Sequence, residues 1–286
     1  MKSYTIMMSL TIGALLLCAG YLQASEGLNV SYTYTEPSEG DLEDEVGQHE
    51  AKVNGAVKVM HAENDGFDLF VGGAFQMNTW TFDDNRIDDI DMYKVKVPIT
   101  AGFKAADNIL MRVQIAPGIH SDWENVDGDD FRVDGNIVGT YVYKPDLQFV
   151  LGVGVGEEFG DVSAYPIVGA RWQATDELLV ALIFPKPRVS YAVSEDFRLF
   201  AAGEPTGGEW NIGEQDDDAD DVDLSVKGYR VGIGGEYQVA PGGWLFAMAG
   251  AEGGRELQLG INDDEVFDDD VDLDDCSFVQ IGFRLR

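Results

Sequence analysis

The side chains that could catalyse a reaction stand next to one another at one place in the chain. His120, Ser121 and Asp122 put a general base, a hydroxyl and a carboxylate in consecutive positions. Such a set would suit a hydrolase, but consecutive residues of a strand point to opposite faces, so His120 and Ser121 do not converge. We therefore predict that His120 is a solvated side chain at the rim of the fold, that His61 belongs to a plain turn, and that the protein is not an enzyme.

Carboxylates dominate the composition, with 52 Asp and Glu against 19 Lys and Arg and a formal net charge of −33. More than half of them lie in five windows, which are residues 36–45, 83–91, 122–130, 214–223 and 263–275. Calcium binds carboxylate oxygens, yet neither 124–130 nor 216–221 has the alternating order followed by glycine that an EF-hand loop needs. The sequence therefore predicts no metal site and no cofactor, with divalent cations as diffuse counter-ions. The absence of Lys/Arg clusters argues against nucleic acid as a partner.

The start of the chain has the pattern of an export signal. An apolar stretch covers residues 6–17 and is followed by small and polar residues around Ala24. It is too short to cross roughly 30 Å of hydrocarbon as a helix, which favours a cleaved signal peptide over residues 1–24. The alternative to a cleaved signal peptide over residues 1–24 is a lipoprotein with the lipid on Cys18. Cys276 is the other cysteine, so the sequence offers no disulfide framework.

Beyond the signal, apolar residues alternate with polar residues or glycines. This period of two is typical of strands with one apolar face. The apolar faces of three such segments are Tyr93, Val95, Val97, Ile99, Ala101 and Phe103; Leu147, Phe149, Leu151, Val153 and Val155; and Val279, Ile281, Phe283 and Leu285.

The connections between these segments are of two kinds. Short turns are expected at residues 105–108, 144–146, 174–177, 194–196 and 240–243, and the five acidic windows form the long loops between them. Short turns at one end and long loops at the other are typical of membrane barrels. The sequence predicts an all-β, up-and-down antiparallel transmembrane β-barrel over residues 25–286. It has about 14 strands, or 12 if short pieces between 177 and 204 merge.

A soluble periplasmic sandwich or jelly roll would also show alternating strands. Aromatic residues at strand ends, such as Trp80, Tyr141, Tyr143 and Trp244, favour the membrane instead because aromatic side chains form girdles at both lipid interfaces. Several segments also reach the ten or so residues that a tilted membrane strand needs.

Two stretches carry a family resemblance. The sequence Phe184-Pro185-Lys186-Pro187-Arg188-Val189-Ser190-Tyr191, preceded by Tyr165-Pro166-Ile167-Val168-Gly169 and Arg171-Trp172, is similar to a family of outer-membrane barrels of unknown function. The resemblance implies a bacterial outer-membrane location, with membrane lipid and the outer-membrane assembly machinery as partners. It supplies no catalytic residues.

Basic residues occupy the polar face of the expected strands, where they would line a lumen. They are Lys94, Lys96, Arg112, Arg132, Arg171, Arg230 and Arg284, accompanied by Glu50, Asp134 and Glu236. Charged walls of both signs tune selectivity in pores. The sequence therefore predicts a passive, porin-like channel for small hydrophilic solutes with acidic extracellular loops. The alternative is a non-enzymatic surface or structural barrel whose acidic loops bind cations or a partner.

Overall fold

The computed structural model of the protein describes residues 27–39, 45–62, 66–82, 89–123, 126, 128–212, 222–261, 264–265 and 271–285. Within those residues, no helix is long and apolar enough to cross a membrane. The predicted signal peptide, residues 1–24, lies outside the described residues, as do parts of all five acidic windows.

The described chain is built from β-strands joined into one sheet. The strands are β1 (Leu28–Ser38), β2 (Val46–Ala62), β3 (Phe67–Phe82), β4 (Ile90–Lys96), β5 (Ile99–Ala106), β6 (Ile109–Ser121), β7 (Phe131–Lys144), β8 (Leu147–Gly156), β9 (Ser163–Gln173), β10 (Leu178–Phe184), β11 (Arg188–Ala192), β12 (Phe197–Pro205), β13 (Gly208–Ile212), β14 (Val222–Ala240), β15 (Gly243–Ile261), β16 (Asp264–Glu265), β17 (Val271–Leu273) and β18 (Cys276–Leu285).

These segments form a closed antiparallel barrel of 14 strands. The barrel closes because β1 pairs with both β2 and β18. The segments β4 and β5 are two halves of one barrel strand, since both pair with β3 and β6. Likewise β12 and β13 both pair with β14, while β16 and β17 add short pairings to β15. The predicted fold class and the strand number of 14 are confirmed.

Proline explains the break between β4 and β5. Pro98 has no N–H group and cannot donate to the ladder. Around it, the Val97 amide donates to the Pro117 carbonyl at 2.9 Å and the Gly72 amide donates to the Pro98 carbonyl at 2.8 Å. The alternation of inward-facing and outward-facing side chains therefore continues from β4 through the break into β5.

The two ends of the barrel differ, as the connections predict. Tight turns join β5 to β6, β7 to β8 and β14 to β15 at one end, where Leu28 also pairs with Leu285. We call this the short-turn end and the opposite one the loop end. The short-turn end carries both termini of the described barrel.

The outer face of the barrel is apolar. Large hydrophobic side chains are exposed along every part of the wall, with Leu151 at 70% and Ile233 at 72% exposure. Soluble monomeric proteins rarely expose an apolar surface of that extent to water. A closed barrel is one of the two structures that can cross the hydrocarbon of a membrane. The apolar face is therefore the lipid-contacting surface of a membrane-spanning barrel.

A charge placed on this surface should prevent normal insertion. We expect Leu151→Arg to destabilise the barrel by about 2–4 kcal/mol, because the guanidinium would face the hydrocarbon. The measurement is urea-dependent folding into phospholipid vesicles. Gln148→Arg on the inner side of the same strand is the matched control and should fold normally. Equal folding of the two variants would contradict the assignment of the faces.

The loop end is narrower than the short-turn end. Strand β13 continues the pairing of β12 with β14, and its other edge makes a parallel pair with β6, Asn211 opposite Ser121. At the short-turn end, β7 to β11 separate β6 from β12, the lower part of the same barrel strand as β13. The wall next to that seam is low, since β10 has 7 residues and β11 has 5, against 19 each in β14 and β15.

Candidate functional site: the barrel interior

Three adjoining cavities lie inside the barrel. The mouth cavity, about 570 Å³, is lined by Asp176 and Glu177 of the β9–β10 turn and so lies at the short-turn end. The middle cavity, about 480 Å³, shares Arg171 with it. The inner cavity, about 280 Å³, shares Glu158 and Lys186 with the middle cavity. We call this series of adjoining cavities, which runs from the short-turn end toward the loop end, the connected interior.

The seven basic residues predicted to line a lumen fall into two groups. Five lie in cavity walls: Lys94, Lys96 and Arg284 in the inner cavity, Arg112 in the middle cavity, and Arg171 in both the middle and the mouth cavity. The other two, Arg132 and Arg230, line none of these three cavities and make ion pairs with carboxylates. Their role as the lining of an open pathway stays a prediction.

A buried carboxylate lies at the inner cavity. Glu157, the residue after β8, is 2% exposed. Its Oε2 atom lies 3.0 Å from Lys94 Nζ and 2.6 Å from His120 Nδ1. Its Oε1 atom lies 3.8 Å from Arg132 Nε, and the Glu209 amide donates to Oε2 at 3.4 Å. One loop residue thus ties together β4, β6, β7 and β13.

The surroundings keep this carboxylate charged. Burial alone would raise the pKa of Glu157, because a carboxylate loses hydration in the interior. The positive charge of Lys94 and the hydrogen bond from His120 outweigh burial and lower the pKa of Glu157 to about 2. The ionised carboxylate is therefore the form that holds these elements together at neutral pH.

An apolar plug lies on the loop side of Glu157. It consists of Val46, Trp80, Met92, Trp210, Leu224, Val226 and Leu273. Trp80 and Trp210 are at most 2% exposed. The plug contacts the charged cluster directly, since Lys94 Nζ lies 4.1 Å from the Trp210 ring centroid. In the described part of the chain, the connected interior ends at this plug.

A second buried ion cluster braces the wall between β2 and β15. Arg230 is 0% exposed and lies between two buried carboxylates, with Glu252 at 2.8 Å and Glu50 at 3.3 Å. Its guanidinium also lies 4.9 Å from the Phe278 ring centroid. The Thr206 hydroxyl donates to Glu252 at 2.9 Å. Both carboxylates are buried, so bulk water could not solvate them if the guanidinium were removed.

Arginines gather around Glu236 toward the short-turn end. Arg188 lies 3.0 Å from the Glu236 carboxylate, and Arg198 and Arg284 lie 3.6 Å from it. Each guanidinium stacks on an aromatic ring, namely Phe200 at 3.8 Å, Trp244 at 4.1 Å and Phe246 at 4.9 Å. Stacking and pairing fix these long side chains against the wall, where Arg188 and Arg198 border the mouth cavity and Arg284 borders the inner cavity.

Glycine makes room for this stacking. A Cβ atom at Gly234 would lie 2.6 Å from Phe200 Cζ, well inside contact distance. Without a side chain at Gly234, the Phe200 ring lies flat on the wall and carries Arg188 on its other side.

The structure corrects two predictions about histidines. His120 is not a solvated rim residue: it is 1% exposed and lies against Glu157, because the β8–β9 loop folds into the barrel. His61 lies within β2 rather than in a turn, and its Nδ1 atom is 2.7 Å from Asp68.

Sequence reasoning missed Glu157 and Trp210. Alternation identifies inward-facing charged residues only within strands, whereas Glu157 follows a strand and reaches inward from a loop. The usable signal is weak: Glu157 and Glu158 stand in a loop of six residues between β8 and β9, outside all five acidic windows.

Metal binding is not supported by the described residues. No group of three or more His, Cys, Asp or Glu side chains there could hold a metal ion. Much of the acidic windows lies outside the described residues, so the expectation of diffuse cation accumulation stays a prediction.

Comparison with solved structures finds bacterial outer-membrane barrels. The COG4313 outer membrane channel from Pseudomonas putida F1 is 10% identical, with a TM-score of 0.48 over 92% of this chain and 95% of that chain. TodX, described as a monoaromatic hydrocarbon channel, is 8% identical, with a TM-score of 0.43 over 90% and 89%. The translocator domain of autotransporter NalP from Neisseria meningitidis is 10% identical, with a TM-score of 0.34 over 99% and 98%.

No curated protein matches the chain. A protein family matches the chain, and the match begins just before β4 and runs to the final residue. The match covers residues 87–286, well over half of the sequence, and the chain therefore belongs to the family described as "Domain of unknown function (DUF6268)".

Proposed function

We propose that the protein is a passive outer-membrane channel for small hydrophilic solutes and that the described conformation is its closed state. The observation that carries the proposal is the connected interior. Three adjoining cavities lead inward from the short-turn end, and their walls carry charges of both signs. Channels that select among hydrophilic solutes use such walls.

The apolar plug supplies the closure. Hydrophobic constrictions stop conduction because water and ions avoid an apolar passage. Here the plug adjoins Glu157, whose loop is held to four strands through ionic contacts. Release of Glu157 would free β13 and Trp210 to move, so we assign Glu157 the role of a latch.

Glu157→Gln should therefore increase conduction. The neutral amide loses the ionic attraction to Lys94, and we expect the open probability in planar bilayers to rise at least tenfold over the wild type. Single-channel recording of the refolded protein measures this change.

Glu158→Gln is the matched control for this experiment. It removes the same charge from the next residue, whose carboxylate pairs with the half-exposed Lys186 rather than with the latch. It should conduct like the wild type. Correct folding of all variants is checked by heat-modifiable mobility on SDS gels. If folded wild type and Glu157→Gln both pass no ions, the channel is rejected.

The plug also favours a second candidate function. A barrel that is permanently sealed at the loop end would be a structural or surface protein, whose acidic loops bind cations or a partner. That function predicts no conductance in any variant and a melting temperature that depends on calcium.

A further inference from the structure

The middle cavity contains two arginines that no carboxylate of the described residues neutralises. Arg112 on β6 and Arg171 on β9 both line it and both are exposed within the barrel. Among the described residues, neither guanidinium has a carboxylate within ion-pair distance. Other basic residues of the interior differ, since Lys96 pairs with Asp134 and Arg198 with Glu236.

The acidic group of the middle cavity does not compensate for them. Glu158 lies in its wall, but its carboxylate is 2.7 Å from Lys186 Nζ. The Glu158–Lys186 pair is neutral as a unit, so the cavity retains two positive charges. A chain with a net charge of −33 thus keeps an electropositive chamber in its interior.

The rest of the wall has two further properties. One part is apolar, formed by Val138, Val150, Ile167, Ile183, Phe184 and Pro185. Another part carries neutral hydrogen-bonding groups, which are Gln114, Asn136, Thr140 and Gln148. A ligand in this chamber would meet guanidinium groups, amides and an apolar surface at once.

We propose that the middle cavity is a binding site for a small organic anion, a carboxylate with an apolar or aromatic body. Guanidinium groups bind carboxylates with paired, charge-assisted hydrogen bonds. The apolar wall accepts the body of the same molecule, and about 480 Å³ is large enough for a compact ring compound. The proposal rests on the channel function and names its solute class, since this cavity lies between the mouth cavity and the inner cavity.

Benzoate is a suitable probe, with two partial analogues. Titration calorimetry of the refolded full chain in detergent should show benzoate binding. Benzyl alcohol, which has the ring without the charge, and acetate, which has the charge without the ring, should each bind at least about tenfold more weakly.

Variants locate the site. Arg112→Gln and Arg171→Gln should each weaken benzoate binding about tenfold or more, because each removes a charged hydrogen-bond donor. Lys104→Gln removes one positive charge from an exposed residue at the short-turn end, where Lys104 pairs with Asp107, and should leave binding unchanged. Heat-modifiable mobility shows that each variant is folded.

The outcomes of these experiments distinguish a failure of the binding site from a failure of the channel function. Equal benzoate affinity in the wild type, Arg112→Gln and Arg171→Gln would overturn the site, as would benzyl alcohol binding as tightly as benzoate. Benzoate binding that depends on both arginines supports the site even in a barrel without conductance. Conductance with no benzoate binding would overturn the site and keep the channel.

Discussion

Arg230→Met is expected to destabilise the barrel by about 3–5 kcal/mol, because removing one partner of a buried ion cluster leaves uncompensated charge. Arg230 is fully buried and contacts both Glu50 and Glu252, which are themselves almost inaccessible to water. Without the guanidinium, Glu252 loses its ionic partner in the interior, while Glu50 keeps only Lys52, at 2.7 Å. Equilibrium unfolding in urea, in phospholipid vesicles, measures the loss.

Two controls isolate the cause of that loss. The double variant Arg230→Met, Glu252→Gln removes one charge of each sign and should recover much of the stability, since Glu50 keeps its ion pair with Lys52 at 2.7 Å. Lys104→Met breaks an exposed pair with Asp107 and should leave the free energy of unfolding close to that of the wild type. A loss in Arg230→Met no greater than in Lys104→Met would show that the buried cluster contributes nothing.

Acidification is expected to open the channel through Glu157. The folded pKa of Glu157, about 2, lies below its ordinary value of 4.5, so its stabilisation of the closed state is complete above pH 4.5. That contribution falls as the pH drops from 4.5 through 2, and it amounts to about 3 kcal/mol in all. The groups that face the carboxylate are Lys94, His120, Arg132 and the Glu209 amide.

Conductance recorded between pH 6 and pH 2.5 tests this expectation. The open probability of the wild type should rise as the pH falls below 4.5. Glu157→Gln should be open already at pH 6 and lack that rise, although it keeps every other acidic residue of the chain. Identical pH profiles for the two proteins would contradict the assignment of the latch to Glu157.

The strands of the barrel wall could be predicted from sequence because they depend on residues that are close together in the chain. A period of two assigns faces, and turns such as residues 240–243 mark where strands reverse. The short segments β10 and β11 remain separate strands, which gives 14 rather than the alternative of 12.

The closed interior could not be predicted in the same way. The alternation of β6 assigns His120 to the inner face, but its burial depends on Glu157, 37 positions later in the sequence. Likewise Trp210 reaches Lys94 only because the edge of β13 that faces away from β14 pairs with β6. Such contacts depend on loop paths and three-dimensional distances, which residue types and spacing do not encode.

The low wall at β10 has a consequence for the surrounding lipid. Seven residues at a typical rise and barrel tilt give a height of about 18 Å. That is short of the roughly 25 Å apolar band of outer-membrane barrels. Lipids beside Leu182 must therefore compress their acyl chains, whereas those beside the long strands β14 and β15 need not. The bilayer should therefore be thinner on one side of each barrel. Neighbouring barrels would lower the free-energy cost of this hydrophobic mismatch by placing their thinned sides next to each other.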